Sequence, residues 1–459
     1  MYDTIIIGAG PGGYLAAERL GHEKKKVLLI EENHLGGTCL NVGCIPTKTL
    51  LNSAKQYVHA KEASKFGINV NDVSFDWSAI QKWKQEVVEK LRSGIAFQMK
   101  RFAVDTVSGR GEIISPPKGN NSGKVKVGEK IYETKTVLIS TGSVPVFPPI
   151  AGIKDNPCVL DSTQLLSVET VPKRLAIIGG GVIGVEFAGL FSSLGCEVTV
   201  IEMADEIIPF MDKELSPVYR KAMKDVTFKL GCKVERIEGA DVHFSDKTGK
   251  TEKLSSDKIL LAVGRKPVLD TWGANNTGID ITAKGVSVDE KMRTNIPGIW
   301  AVGDVTGKSL LAHSAYRMAE VAVSDITAFL NGTENKTNRM RYNAIPWAVY
   351  GITEAAGVGM TEQEAASKNI AILKASLPMK ISGRFVAENT FSALGTVKVI
   401  ACASTRRILG IHAIGAYSSE FIWGGSVIIE QELRIEDVKE IIFPHPSVCE
   451  IIRDAVWEL

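Results

Sequence analysis

The sequence predicts an α/β protein: two parallel-sheet units, each built on a strand, turn, helix and strand, followed by a C-terminal α+β unit. Three observations carry that prediction. The chain has 459 residues, more than one hydrophobic core usually supports, so two to four domains are expected. An apolar strand that runs into a G-x-G-x-x-G turn occurs twice. From about residue 337 the pattern changes to alternating strands and helices without such a turn.

The first repeat begins at Thr4-Ile5-Ile6-Ile7, turns through Gly8, Gly10 and Gly13, continues as a helix and returns as the strand Val27 to Ile30, closed by Glu31. The second begins at Leu175-Ala176-Ile177-Ile178, turns through Gly179, Gly181 and Gly184, and returns as Val198 to Ile201, closed by Glu202. In both, the acid lies 18 residues beyond the last glycine. One such turn is weak evidence, but two with matched strands, helices and acids describe two Rossmann-like dinucleotide-binding units. The glycines allow backbone to approach a pyrophosphate at the positive end of a helix. Glu31 and Glu202 stand where a ribose 2′-hydroxyl would donate to them. Two dinucleotides are therefore expected. Met203-Ala204-Asp205-Glu206, which follow Glu202, contain no arginine to meet a 2′-phosphate, so NAD is expected in the second unit in preference to NADP.

Other strand-like runs end in glycine turns at Val137 to Gly142, Lys258 to Gly264 and Ile299 to Gly303. A β excursion is expected from about 110 to 140, with turns at Pro116-Pro117 and Gly119-Asn120-Asn121. In the C-terminal part, strands are expected at Thr396 to Ala401 and Ile408 to Ile414. Helices are expected there at Ser418 to Glu430 and Ser447 to Val456.

Directly after the first acid comes Gly36-Gly37-Thr38-Cys39-Leu40-Asn41-Val42-Gly43-Cys44-Ile45-Pro46-Thr47-Lys48. On an ideal helix, cysteines five apart rise about 7.5 Å and face different ways, near or beyond the reach of a disulfide. Pairing of Cys39 with Cys44 therefore needs a distorted turn, which Gly43 and Pro46 permit. A disulfide of that kind suits electron transfer more than stapling.

Composition bounds the rest. A formal net charge of +2 with 23% charged residues does not mark a polyanion binder, and nucleic acid is not an expected partner. The longest apolar stretch, Leu175 to Phe191, is broken by five glycines and Glu186, so no membrane span is expected. The chain enters a strand at once, without a basic or apolar leader pattern, and the cytoplasm is the expected compartment. Of seven cysteines only one pair is close in sequence. Cys158, Cys196, Cys232 and Cys402 are read as small buried hydrophobes. No metal is expected.

These motifs, together with Ala301-Val302-Gly303-Asp304-Val305 and His445-Pro446-Ser447-Val448-Cys449-Glu450, resemble the pyridine nucleotide-disulfide oxidoreductases from end to end of the chain. The resemblance implies an FAD-binding domain at 1–145, an NAD-binding domain at 146–266, a segment completing the FAD site at 267–336 and a dimerisation domain at 337–459. It implies Cys44 as the sulfur facing the flavin and Cys39 as the sulfur that exchanges with substrate. Lys48 would reach the flavin and pair with Glu186, Asp304 would bond the ribityl chain, and a helix beginning in Leu310-Leu311-Ala312-His313 would steady negative charge on the flavin ring. His313 itself reads as an ordinary helix residue. Thr38, Gly111, Thr141, Gly142, Ser143, Val182, Val234 and Gly264 are carried over as further cofactor contacts.

His445 is the candidate acid–base group, because a dithiol must lose a proton before it can attack and histidine titrates near neutrality. Glu450 is spaced to orient the ring, as a triad acid does. In the family this pair lies across a homodimer interface from the cysteines. The closest branch oxidises a dihydrolipoyl group, which here would be borne by another chain of a 2-oxo acid dehydrogenase or glycine cleavage system. Within the family, glutathione reductase is disfavoured by Glu202 and by Val182 at the nicotinamide lid. Mercuric reductase and large thioredoxin reductases are disfavoured by a C-terminus, Ala455-Val456-Trp457-Glu458-Leu459, without a cysteine pair. A flavoprotein with an idle disulfide site is disfavoured by the intact set Cys39, Cys44, Lys48, His445 and Glu450. The chain departs from the family pattern at Thr353, Ser314 to Arg317, Phe443-Pro444 and Cys449.

Overall fold

Ile5 to Ile7, Val27 to Ile30 and Val137 to Ile139 are continuous apolar runs, and their strands, Tyr2–Ile7, Val27–Glu31 and Lys130–Ile139, lie side by side in parallel at the centre of a sheet. Strands covered on both faces read in this way, and Ile5, Leu28, Val137 and Ile139 are fully buried. The computed structural model describes residues 1–119 and 121–459. The expected turn at Gly119-Asn120-Asn121 includes Asn120, which lies outside the described residues. The chain folds as two units, one from Met1–Thr49, Ser78–Val146 and Gly264–Arg341, the other from Leu50–Trp77, Phe147–Val263 and Tyr342–Leu459.

In the first unit the strand order is Asp105–Ser108, Val27–Glu31, Tyr2–Ile7, Lys130–Ile139, Gly123–Val127 and Gly111–Ser115, with Ile299–Ala301 joined in parallel to Lys130–Ile139. Residues from late in the chain thus complete the first sheet. Gly123–Val127 and Gly111–Ser115 are antiparallel additions, the expected β excursion. The helix Ala312–Leu330 starts where the sequence places it, with Leu311 as its extended cap residue.

The second unit holds a five-stranded parallel sheet in the order Val226–Leu230, Glu197–Glu202, Arg174–Ile178, Lys258–Leu261 and Val159–Leu160. A three-stranded antiparallel sheet follows, Lys233–Glu238, Asp241–Ser245 and Thr251–Ser255. The C-terminal part is a five-stranded antiparallel sheet, Trp347–Val349, Ala355–Gly359, Ile408–Ile414, Thr396–Cys402 and Ile372–Pro378. Val397, Val399, Ile411 and Ala413 share a core with Phe421 and Ile428 of the helix Ser418–Glu430 and with Ile451 and Ile452 of Glu450–Trp457. The alternate residues Lys398 and His412 are a cross-strand pair, and both are fully buried. Lys398 Nζ donates to Asp212 Oδ1 at 2.9 Å, Glu214 Oε2 at 2.8 Å and Glu362 Oε2 at 2.5 Å.

Two expectations need correction. The last helix begins at Glu450, not Ser447, because the Glu450 carboxylate takes up the Ser447 N–H. Cys196 and Cys232 are buried as expected, whereas Cys158 and Cys402 are only half-buried. The hydroxyls of Ser404 and Thr405, with the Thr405 N–H, bring the Cys402 thiol down to about 6, which suits a cysteine at the open end of its strand and not a core residue. Among the described residues no helix is long and apolar enough to cross a membrane.

Candidate active site

The two glycine turns are built alike, bond for bond. Gly8 N–H donates to Ile30 O at 2.8 Å, and Gly179 N–H to Ile201 O at 2.9 Å. Ser140 N–H closes the first turn on Ile7 O at 2.8 Å, and Ala262 N–H the second on Ile178 O at 2.8 Å. Gly8 and Gly179 have φ of +97° and +108°, a region that side chains disfavour. A Cβ on Gly13 would stand 1.8 Å from Gly8 O, and one on Gly184 would stand 2.0 Å from Gly179 O. The middle glycines differ: a Cβ on Gly10 would meet only Gly37 Cα, at 3.9 Å, and one on Gly181 would meet nothing within 4 Å. Open space therefore lies beside the helix N-termini of Pro11–His22 and Val182–Ser193, the arrangement a pyrophosphate requires. The residues present thus fit a dinucleotide in each unit.

Both acids do more than the sequence suggests. Glu31 accepts from Ala9 N–H at 2.7 Å and Asn33 N–H at 2.9 Å. Glu202 accepts from Gly180 N–H at 2.5 Å and Ala204 N–H at 2.7 Å. Each carboxylate braces its own turn while standing at the end of its strand, and a charge-assisted bond of this kind is worth about 1.5–3 kcal/mol.

Thr141, Gly142, Ser143 and Gly264 come together where Ser143–Pro145 pairs with Arg265–Pro267. Thr141 Oγ1 donates to Val268 O, Val268 N–H to Gly142 O and Val146 N–H to Gly264 O. Ser143 Oγ donates to Asp304 Oδ2 at 2.5 Å while receiving Arg265 Nε at 2.8 Å. Burial pushes the Asp304 carboxyl up, against the Ser143 bond and the Arg265 charge. Arg265 is a residue that the sequence reading missed; the Gly264-Arg265-Lys266-Pro267 turn was its only signal. Gly111 and Val234 are core positions, against Ile7 and Ile30 in one unit and Ile237 and Phe244 in the other.

Cys39 and Cys44 form a disulfide with Cα atoms 4.6 Å apart. The short helix Gly37–Val42 stops at Gly43 and a new helix, Cys44–Glu62, begins at once, so the break falls where pairing demands it. The motif is fastened to the first dinucleotide turn. Gly36 N–H donates to Ala9 O at 2.8 Å, and Gly37 lies so near Gly10 that a Cβ there would be 2.5 Å from Gly10 Cα. Asn41 Nδ2 holds the carbonyls of Leu35 and Gly37, and Arg92 Nε holds Asn41 Oδ1 at 3.0 Å. Thr38 is exposed on the same short helix, and Lys48 is half-buried one turn after Cys44.

In the second unit Glu186 is buried on Val182–Ser193, where its Oε1 accepts Tyr350 N–H at 3.0 Å. His445 Nδ1 lies 3.0 and 3.2 Å from the two oxygens of Glu450. Ser447 N–H donates to Glu450 Oε2 at 2.8 Å, and Arg453 Nη1 stands 3.5 Å from Oε1. The Ser447 N–H above all, then His445 and Arg453, outweigh burial and hold the Glu450 carboxyl below its ordinary range. An ionised Glu450 fixes the Nδ1–H tautomer and leaves Nε2 as the base. The His445 side chain is 80% exposed. His313 is exposed in the first turn of Ala312–Leu330.

The family model described as pyridine nucleotide-disulphide oxidoreductase matches residues 2–319, and that family's dimerisation domain matches 345–456. A dihydrolipoyl dehydrogenase of Mycoplasma pneumoniae is 36% identical over 459 residues, covering 99% of this chain and 97% of its own. One of Bacillus subtilis is 36% identical over 456 residues, covering 98% and 97%. Among solved structures, the HOCl-induced flavoprotein disulfide reductase of Escherichia coli superposes with a TM-score of 0.85 at 31% identity, covering 99% of each chain.

Proposed function

The chain belongs to the pyridine nucleotide-disulphide oxidoreductase family, and on that premise we propose that it oxidises a protein-borne dihydrolipoyl group at Cys39–Cys44 and passes the electrons to NAD. Bound FAD supplies the route for two electrons from the dithiol pair to NAD, which leaves as NADH. The observation that carries the reading is the Cys39–Cys44 disulfide fastened to the first dinucleotide turn.

The chain's own residues divide the work. His445 Nε2 takes the proton of one substrate thiol, and Glu450 stabilises the imidazolium that forms. The substrate thiolate attacks Cys39 Sγ, the S–S bond breaks, and Cys44 leaves as a thiolate. His445 gives that proton to solvent and takes the proton of the second substrate thiol, whose sulfur attacks the substrate sulfur of the mixed disulfide. Cys39 is released as a thiolate, and the substrate leaves oxidised to its cyclic disulfide. Two electrons now reside on the cysteine pair. Lys48, Glu186, Asp304, Ser143, Val182 and the turns at Gly8 and Gly179 position the cofactors, with Glu31 and Glu202 at the ribose ends. The dimerisation domain supports a homodimer, in which His445 and Glu450 of one copy would serve the cysteines of the other. The electron donor would be a lipoyl-bearing protein of a 2-oxo acid dehydrogenase or glycine cleavage system, and the relatives' dihydrolipoyl dehydrogenase names support that choice.

Steady-state reduction of NAD by dihydrolipoamide tests the reading, with oxidised glutathione plus NADH or NADPH as parallel arms. Rapid NAD reduction that falls by at least about three orders of magnitude in Cys44→Ser supports it. Turnover confined to glutathione or to NADPH would overturn the substrate assignment.

A further inference from the structure

Two cations, Lys247 and Arg220, are paired with acids of the segment that follows Glu202, which the sequence around Glu202 does not reveal. Cys232 N–H donates to Glu202 O and Gly231 N–H to Ala204 O, both at 2.9 Å, so Leu230 and Gly231 form a wall beside the segment that follows the ribose-binding acid. The turn between Asp241–Ser245 and Thr251–Ser255 stands over that wall. Asp246 Oδ1 accepts Thr248 N–H at 2.8 Å, Thr248 Oγ1 at 2.6 Å and Lys250 N–H at 3.1 Å, which stiffens the tip and presents Lys247. The Lys247 stem packs against Gly231, where a Cβ would be 3.0 Å from Cε. Its ammonium pairs with Asp205. Asp205, Leu230, Gly231, Asp246, Lys247 and Thr248 line a surface pocket of about 290 Å³.

A second cation is withheld in the same way. Arg220 Nε and Nη2 donate to both oxygens of Glu206 at 2.9 and 3.1 Å, and Ile207 N–H fixes Glu206 Oε1 at 2.9 Å. That pair is bidentate and mostly shielded. The Lys247–Asp205 pair is open, at 64% and 79% side-chain exposure, so it is the one a ligand or a substitution can change. Both acids of the Met203-Ala204-Asp205-Glu206 segment are thus paired with a cation.

We propose that Asp205 is a specificity-determining residue: by holding Lys247 it keeps that ammonium from a 2′-phosphate, and so adds to Glu202 in selecting NAD over NADP. The inference rests on the reading of the second turn as the NAD site and names which residues make it selective. The geometry favours Lys247 as the latent phosphate ligand, since its ammonium is placed by a stiffened turn beside the pocket wall that adjoins the ribose acid.

Calorimetric titration of the FAD-loaded dimer with adenosine 2′,5′-bisphosphate, with adenosine 5′-monophosphate and with NADH separates the possibilities without relying on turnover. In Asp205→Asn the affinity for the bisphosphate is expected to rise about tenfold at low ionic strength and to lose that gain in added salt, while monophosphate affinity stays within about twofold. Adding Lys247→Met should remove the gain. A bisphosphate affinity unchanged in Asp205→Asn overturns the proposal, and a gain that survives Lys247→Met overturns the role of Lys247. Failure of the unaltered protein to bind NADH would instead overturn the NAD assignment on which the inference rests.

Discussion

At Glu450 one carboxylate meets the ring of His445, the N–H of Ser447 and the guanidinium of Arg453. The Ser447 bond fixes the carboxylate, and the carboxylate fixes the ring. Glu450→Gln keeps the volume and removes the anion. The amide can present its N–H₂ to Nδ1 and so favour the wrong tautomer, a change that costs about 10⁴ in the comparable triad and here is expected to cost at least about 10²-fold in kcat. Steady-state oxidation of dihydrolipoamide by Glu450→Gln checks the effect, and a full rate would remove Glu450 from the proton-transfer step.

The two turns make a separable prediction at the scale of the element. Gly13 and Gly184 occupy equivalent positions, each too close to a carbonyl oxygen for a side chain, and the obstruction is backbone that cannot move without parting strand from helix. Gly13→Ala is expected to weaken FAD retention by about 2 kcal/mol or more, roughly thirtyfold, with visible flavin absorbance per chain as the readout. Gly184→Ala should leave the protein yellow and weaken NADH binding by a similar factor. Both turns, the broken helix between the cysteines and the His445–Glu450 pair were legible in the sequence, because each is local: the partners lie five residues apart or repeat as one pattern. What was not legible depends on register between distant segments. Tyr350 N–H on Glu186 spans 164 residues, Arg265 on Ser143 spans 122 and Lys247 on Asp205 spans 42. Lys398 carries no sequence signal of its own, and only the register that pairs it with His412 shows it to be buried.

For the whole molecule, the Lys398 cage links the segment after Glu202 to the C-terminal sheet and makes stability depend on pH in a definite sense. Burial works against the charged Asp212 carboxylate, but the N–H groups of Glu362 and Glu214 and the Lys398 ammonium hold it below its ordinary value of 3.8. Glu214 and Glu362 are lowered from 4.5, chiefly by bonds to Lys398 and Lys374. Burial likewise opposes the Lys398 charge, yet bonds to Glu214, Glu362 and Asp212 raise it above 10.5. A carboxyl lowered on folding stabilises the fold above its unfolded value and loses that contribution as pH falls through the folded value. An ammonium raised on folding stabilises below its unfolded value and loses it as pH rises through the folded one. The cage therefore contributes a plateau from about pH 5 to pH 10 with a loss on each side. Lys398→Met flattens the alkaline arm and strands Asp212 as a buried, unmatched charge, at a cost of about 3–5 kcal/mol near neutral pH. Its deficit should shrink in acid, where Asp212 takes up a proton. Denaturant midpoints of Lys398→Met and Asp212→Asn/Lys398→Met, followed from acid to alkaline pH, decide the matter: the double variant should recover part of the neutral-pH loss. Equal stability of the two variants at every pH would mean that the cage is solvated in the folded protein.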